Sequence, residues 1–243
     1  MTRSLFSLLG RGLGRRPARR RSFVPRLLLL EDRTLLSVQF TPAPYAVPAN
    51  RPDTPLTSIA IPFPVEPYLS VNPADPGDIA VSSQSGLRVS TSAGGSFTGN
   101  TIFPLTSSNG DTATTYDSAG RLFWVNLMTS ASGLSGISIV QVDPATGGIL
   151  NQHIVDQVPD SSFSDDKEFI AADPSNNNLY VAWTCFGPGG DNSTQMLMRY
   201  SSDQGVSWST PVQVDNGSDG EVQEATVTVA PDHRVYAAYH SVT

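Results

Sequence analysis

A strand–turn–strand pattern recurs four times along this 243-residue chain, and few architectures accommodate such a repeat. The copies are YLSVNPADPGDIAVSS (68–83), TATTYDSAGRLFWVNL (112–127), FIAADPSNNNLYVAWT (169–184) and ATVTVAPDHRVYAAYH (225–240). In each, an apolar run leads into a turn rich in Asp, Asn, Pro and Gly, and a second apolar run leaves it. The second runs begin at Ile79, Leu122, Leu179 and Val235, at intervals of 43, 57 and 56 residues. They are nearly unbroken, as in Leu179-Tyr180-Val181-Ala182-Trp183. Alternating apolar and polar residues would leave one face in water, whereas an unbroken run asks for cover on both faces. Small sheets stacked face to face supply that cover, each sandwiched by its neighbours.

Repeats of roughly 40–50 residues with four strands apiece are the signature of propeller blades. The expected fold is all-β, a partial β-propeller over residues 66–243 with almost no helix. Three full blades and the first half of a fourth can be counted. A closed ring needs six or more in the family resembled below, so the chain reads as the N-terminal portion of a longer protein. Closure by two partial propellers is the alternative. Composition fits: charged residues are only 15% of the chain, against 20 Gly and 19 Pro, a turn-rich profile unlike that of a helical bundle.

A second element repeats in the same phase. SSDQGVSW (201–208) has the form Ser-x-Asp-x-Gly-x-x-Trp, with Ser201, Asp203, Gly205 and Trp208 in place. STSAGGSF (90–97) is a degenerate copy with Ser92 for the Asp and Phe97 for the Trp, and Arg88 and Arg199 stand at the same offset before the two. Such side chains bond to the turn's own backbone, the Gly allows tight curvature, and the Trp packs between sheets. This element resembles the Asp box of sialidase-like (BNR-repeat) propellers. The resemblance implies a six-bladed or larger ring, and its enzymes grip a carboxylate with three arginines beside a Tyr nucleophile paired with Glu and an Asp acid/base. Here the Phe/Tyr-Arg-Ile-Pro motif that brings the first arginine is absent; the nearest string, IPFP at 61–64, has no Arg. Arg88 and Arg199 belong to the box framework, and Arg121 and Arg234 follow the first turns at the far end of their blades. Only Arg51 and Lys167 remain. The fold resemblance therefore does not carry the activity with it.

The charge divides the chain. Residues 1–38 hold nine Arg against Glu31 and Asp32, while the rest has six basic residues against twenty acids. An acidic body would repel phosphate, and the arm lacks interleaved aromatics for stacking, which argues against nucleic acid. An Arg-rich start reads as a targeting segment. RRRSFVPRLLLLEDRTLLS (19–37) resembles the leader of secreted and surface proteins of planctomycete bacteria, in which a basic patch precedes a Leu-Glu-x-Arg core and a small residue. The matching positions are Leu30, Glu31, Asp32, Arg33 and Ser37, and they imply export to the envelope or exterior. No apolar run reaches the roughly 18 residues a membrane helix needs. Residues 39–65 form a Pro-rich linker of semi-rigid, extended character. Its composition marks the propeller's start near Glu66.

Innermost blade strands start near the axis, so residues just ahead of them face the funnel. Six positions before the turn residues Asn72, Asp117, Asp173 and Ala230 stand Glu66, Asp111, Lys167 and Glu224. Asp166 and Glu168 flank the Lys, with Asp165 and Glu221 thickening the same rim. The expected function is that of a secreted or cell-surface propeller binding a glycan or an extracellular protein through this acidic funnel, with Lys167 held charged by a carboxylate neighbour. The bland alternative is a solvated rim that keeps strand ends soluble. The enzymatic alternative is an exo-sialidase-type glycosidase completed by further blades. No cofactor or metal is expected. DNGSDGE (215–221) has Asp215, Asp219 and Gly220 of a calcium loop, but Gly217 at its third position and Thr226 at its twelfth. His153, His233 and His240 make no metal pair, and His233 reads as a turn residue. The single Cys185 excludes an internal disulfide and reads as core packing. The sequons at Asn192 and Asn216 carry no weight in a bacterial chain.

Overall fold

A computed structural model describes residues 65–84, 86–102, 110–188 and 190–242, and every regular element among them is a strand. The leader, Arg51 and the linker before Val65 lie outside the described residues. The first sheet runs β1 (Tyr68–Val71), β2 (Ile79–Ser82), β3 (Gly86–Ser90), β4 (Thr98–Ile102), each strand beside the next. The second runs β5 (Thr112–Tyr116), β6 (Leu122–Thr129), β7 (Ser135–Val142), β8 (Ile149–Gln157). The third runs β9 (Ser164–Ala172), β10 (Leu179–Gly187), β11 (Gly190–Ser201), β12 (Val212–Gln213), and β13 (Glu221–Val229) pairs with β14 (Val235–Val242). All pairings are antiparallel. The strands β2, β6, β10 and β14 begin at the four residues on which the sequence repeat aligns. The innermost strands follow one another, β1 beside β5, β5 beside β9 and β9 beside β13. The chain is all-β and builds three four-stranded propeller blades followed by a two-stranded sheet.

The unbroken apolar runs serve two faces at once. On β6 and β7, Leu122, Trp124, Val140 and Val142 pack with Ala80, Leu87 and Val89 of the first blade. The intervening Phe123, Val125, Ile137 and Ile139 pack with Ile170, Leu179, Val181 and Trp183 of the third. A third cluster joins Ala171, Ala182 and Met196 to Val222, Ala225 and Val227. Burial of each large side chain stabilises the stack by about 1.5–3 kcal/mol, so the cores between blades hold the fold together. The expectation of two covered faces fails at the outer sheets. Leu69 and Val71 on β1 and Tyr236 on β14 are exposed, because among the described residues no sheet packs against those sides.

Side-chain bonds set the turns. Asn72, Asp117 and Asp173, buried at equivalent positions, each accept from the amide two residues on, at 2.9, 2.9 and 2.8 Å. These turns also link blades. Asn177 accepts from the Ser118 amide and hydroxyl at 3.1 and 2.7 Å, and His233 Nδ1 lies 2.7 Å from Asp173 Oδ2. His233 is thus more than a turn residue. In the 201–208 turn, Ser201 Oγ accepts from the amides of Asp203 and Gly205 at 3.3 and 2.8 Å, Asp203 accepts from the Ser207 amide at 2.9 Å, and Trp208 Nε1 donates to Gly205 O at 3.0 Å. The 90–97 turn repeats this pattern with a shorter arm. Ser90 Oγ accepts from Ser92 and Gly94 at 3.2 and 3.0 Å, and Ser92 Oγ accepts from Ser96 at 2.9 Å.

Candidate functional site

Strand geometry brings the repeat-offset residues together. Opposite β10, the pairing of β9 jumps from Asp166–Thr184 to Phe169–Ala182, so Lys167 and Glu168 both face Trp183 in a bulge. An equivalent jump on β13, from Gln223–His240 to Thr226–Ala238, places Glu224 and Ala225 in a second bulge. Lys167 and Glu224 have φ of 52° and 60°, and Glu66 ahead of β1 has 53°. Left-handed backbone is uncommon outside glycine, yet three repeat-equivalent residues adopt it. The preceding blade catches the amide freed at each bulge: Lys167 N donates to Asp111 Oδ2 at 3.1 Å, and Glu224 N to Thr184 Oγ1 at 3.2 Å. The bulges turn these side chains towards the line along which the innermost strands start.

There they line a cleft of about 360 Å³ with Glu66, Pro67, Tyr68, Asp111, Glu168 and Phe169 among its walls. Lys167 Nζ donates to Asp111 Oδ1 at 2.8 Å and to Glu66 Oε1 at 3.0 Å. Burial opposes the lysine's charge, but the two carboxyls outweigh it and hold the ammonium above its usual range. Burial also pushes Asp111 up, and hydrogen bonds from Glu66 and Lys167 overcome it to leave the carboxyl below normal. Glu66 moves upward through its bond to Asp111 and through burial. Burial, then the charge of Asp111, raises Asp166 to about 6. Glu168 is 1% exposed, and no other residue donates a hydrogen bond to either of its carboxyl oxygens. Burial, reinforced by the negative charge of Asp111, Asp166 and Glu66, lifts it well above the carboxylate range, so it keeps its proton. Tyr68 and Phe169 add an aromatic wall, their centroids 6.2 Å apart and their planes at 64°. The arrangement can hydrogen-bond a polyhydroxylated ligand from several sides and stack on its apolar face.

Two neighbouring acids lie elsewhere. Asp165, next to Asp166, faces the core between the second and third blades, where its Oδ1 accepts from Trp183 Nε1 at 2.9 Å. Period-two alternation places it opposite Asp166, and the bulge begins only after both. Burial and the charge of Asp156 raise it to about 7, and Asp156 pairs with Arg199 at 2.5 Å. Glu221 lines a separate cleft of about 750 Å³ with Cys185, Thr194, Asp215 and Gly217. There burial pushes the Cys185 thiol up to about 12, an unreactive state. Asp215 accepts from the amides of Met196 and Gly217, both at 2.8 Å, and Asp219 from Tyr239 at 2.6 Å. Sequence spacing named Glu66, Asp111, Lys167 and Glu224, which line the smaller cleft. It missed Tyr68 and Phe169 as walls, although both sit within two residues of a rim charge, and it missed the seclusion of Glu168.

The four described arginines are accounted for away from the cleft. Arg88 donates to Gly99 O and Arg199 pairs with Asp156. Arg121 pairs with Asp117 at 2.6 Å, and Arg234 with Asp232 at 3.4 Å. No helix among the described residues is long and apolar enough to cross a membrane.

No protein-family model matches the sequence, and no curated protein matches it. Solved structures similar to the chain include an α-L-arabinofuranosidase from Clostridium thermocellum, at 13% identity and a TM-score of 0.44 over 72% of this chain and 60% of that one. A glucose dehydrogenase matches at 13% and 0.49 over 73% and 58%, and a Hadza microbial sialidase at 12% and 0.38 over 67% and 42%. The chain thus spans 42–60% of these structures. At identities and TM-scores this low, no activity is carried across.

Proposed function

We propose that this chain is an exported, sialidase-like propeller that binds glycans in the cleft at the starts of its innermost strands. The observation that carries this reading is the fixed constellation of Glu66, Asp111 and Lys167. Three separate segments meet in two ion-paired hydrogen bonds of 2.8 and 3.0 Å beside an aromatic pair. Preorganised donors and acceptors of this kind suit sugar hydroxyls, and Tyr68 and Phe169 offer faces for a pyranose ring. The box-like turns at 90–97 and 201–208 support the sialidase-like assignment of the blade. A sialidase activity is disfavoured by the charge: every described arginine is engaged outside the cleft, and carboxyl groups line it.

Two experiments test this. The protein is screened on an array of neutral, amino and sialylated oligosaccharides alongside Lys167→Ala. Binding that weakens about tenfold or more in the variant, with the β fold retained by circular dichroism, supports the reading; absence of binding to every glycan overturns it. For export, residues 1–40 are fused to a reporter in a planctomycete host, and a reporter that stays in the cytoplasm refutes the leader assignment.

A further inference from the structure

The cleft carries more acid than hydroxyl recognition requires. Glu66, Asp111, Lys167, Glu168 and Glu224 line it, and Asp166 adjoins Asp111, so five carboxyls surround one ammonium. Lys167 already lies against two of them. Glu168 is the anomaly. A side chain buried to 99%, with no other residue donating to either oxygen, is costly unless something meets it, and it forms part of the cleft wall. Beside it stand the rings of Tyr68 and Phe169, whose faces attract cations.

Resting on the glycan-binding reading above, we propose that the cleft selects sugars bearing a free ammonium group, such as deacetylated hexosamines, with the nitrogen docked against the Glu168 carboxyl. The ammonium supplies the donors that Glu168 lacks. Burial chiefly keeps Glu168 protonated, and the charges of Asp111 ahead of β5, Asp166 on β9 and Glu66 ahead of β1 add to it, with Lys167 and Glu224 on β13 lining the same cleft; the positive charge of the ammonium offsets that cost. Glu168 then releases its proton to solvent, and the N–H bonds run from the ammonium to the carboxylate. A ligand carboxylate would meet the opposite field.

The test is calorimetric titration of the full chain at pH 6 with glucosamine tetramer, its tetra-N-acetyl form and sialyllactose. We expect the free-amine sugar to bind about ten- to a hundredfold tighter than the acetylated one, the worth of a charge-assisted bond. Parallel titrations in buffers of different ionisation enthalpy should show release of about one proton with the amine sugar alone. Glu168→Gln keeps the shape but cannot ionise; it should abolish both the preference and the proton release while retaining the acetylated sugar. Glu224→Gln, at an exposed position, should reduce the preference and serves if Glu168→Gln fails to fold. Equal affinities, or a preference that survives Glu168→Gln, overturn the ammonium assignment and leave glycan binding standing. Tightest binding of sialyllactose also overturns it. Absence of binding by all three sugars overturns the glycan reading as well.

Discussion

Gly205 shows how much one residue can fix. Its φ of 85° lies where a side chain is strained, and an added Cβ would stand 3.3 Å from Ile139 Cδ1 in the preceding blade. Gly205→Ala should therefore destabilise the protein by about 1–2 kcal/mol, read as a lower urea midpoint. Gly94, its counterpart in the 90–97 turn, has a φ of 80° but 3.9 Å of room to Ile79 Cδ1. Gly94→Ala should cost less, and an equal or larger loss would contradict the crowding argument. Asp203 is the other control point. Bonds from the Ser207 hydroxyl and amide, then from Ser201, bring its carboxyl down to about 2. A depressed acid stabilises above its unfolded value and loses that contribution as pH falls through the folded one. Asp203→Asn should flatten the fall in thermal midpoint between about pH 4 and 2. The sequence displays this turn fully, since Ser, Asp, Gly and Trp each act on their own backbone within eight residues.

At the scale of strands, legibility depends on whether the information is local. The repeat marks the start of every second strand because apolar runs and Asx turns are local, and offset counting from those turns reached Glu66, Asp111, Lys167 and Glu224. Bulges are not local. The extra residue at Lys167–Glu168 becomes visible only against the register of β10, so the strand pattern could not separate Glu168, which lines the cleft, from the core-facing Asp165. The open sides of β1 and β14 likewise depend on what packs there and not on their residues. Asp165 has a testable consequence. Its folded value of about 7 lies above the unfolded one, so its stabilising contribution is complete below about pH 4 and disappears as pH rises through 7. Asp165→Asn preserves an acceptor for Trp183 and should remove part of the stability loss between pH 4 and 7, by at most about 1.4 kcal/mol for each pH unit. An unchanged slope would show that Asp165 ionises freely.

Over the whole molecule the raised acids act together. Asp166 at about 6, Asp165 at about 7 and Glu168 higher still all favour the protonated folded state, so stability falls as pH rises above about 4. Asp111, Asp173 and Asp203 are lowered, and their contribution disappears below that point. Thermal stability should therefore peak near pH 4 and be lower at pH 8, and a maximum at or above pH 7 would contradict the burial of these acids. Of these, Glu168 lines the cleft and Asp166 adjoins its Asp111, which ties part of the stability profile to the functional claim. Stacked blades place the starts of successive innermost strands side by side, and the bulges turn their charges into one mouth. The most direct test is a crystal structure of the protein with a bound oligosaccharide. The sugar should lie in the cleft, with hydroxyl or amine groups within hydrogen-bond distance of Glu168 and of Asp111 or Lys167, and a ring face on Tyr68 or Phe169. A sugar bound only in the cleft beside Cys185 and Asp215, or outside both, would contradict it.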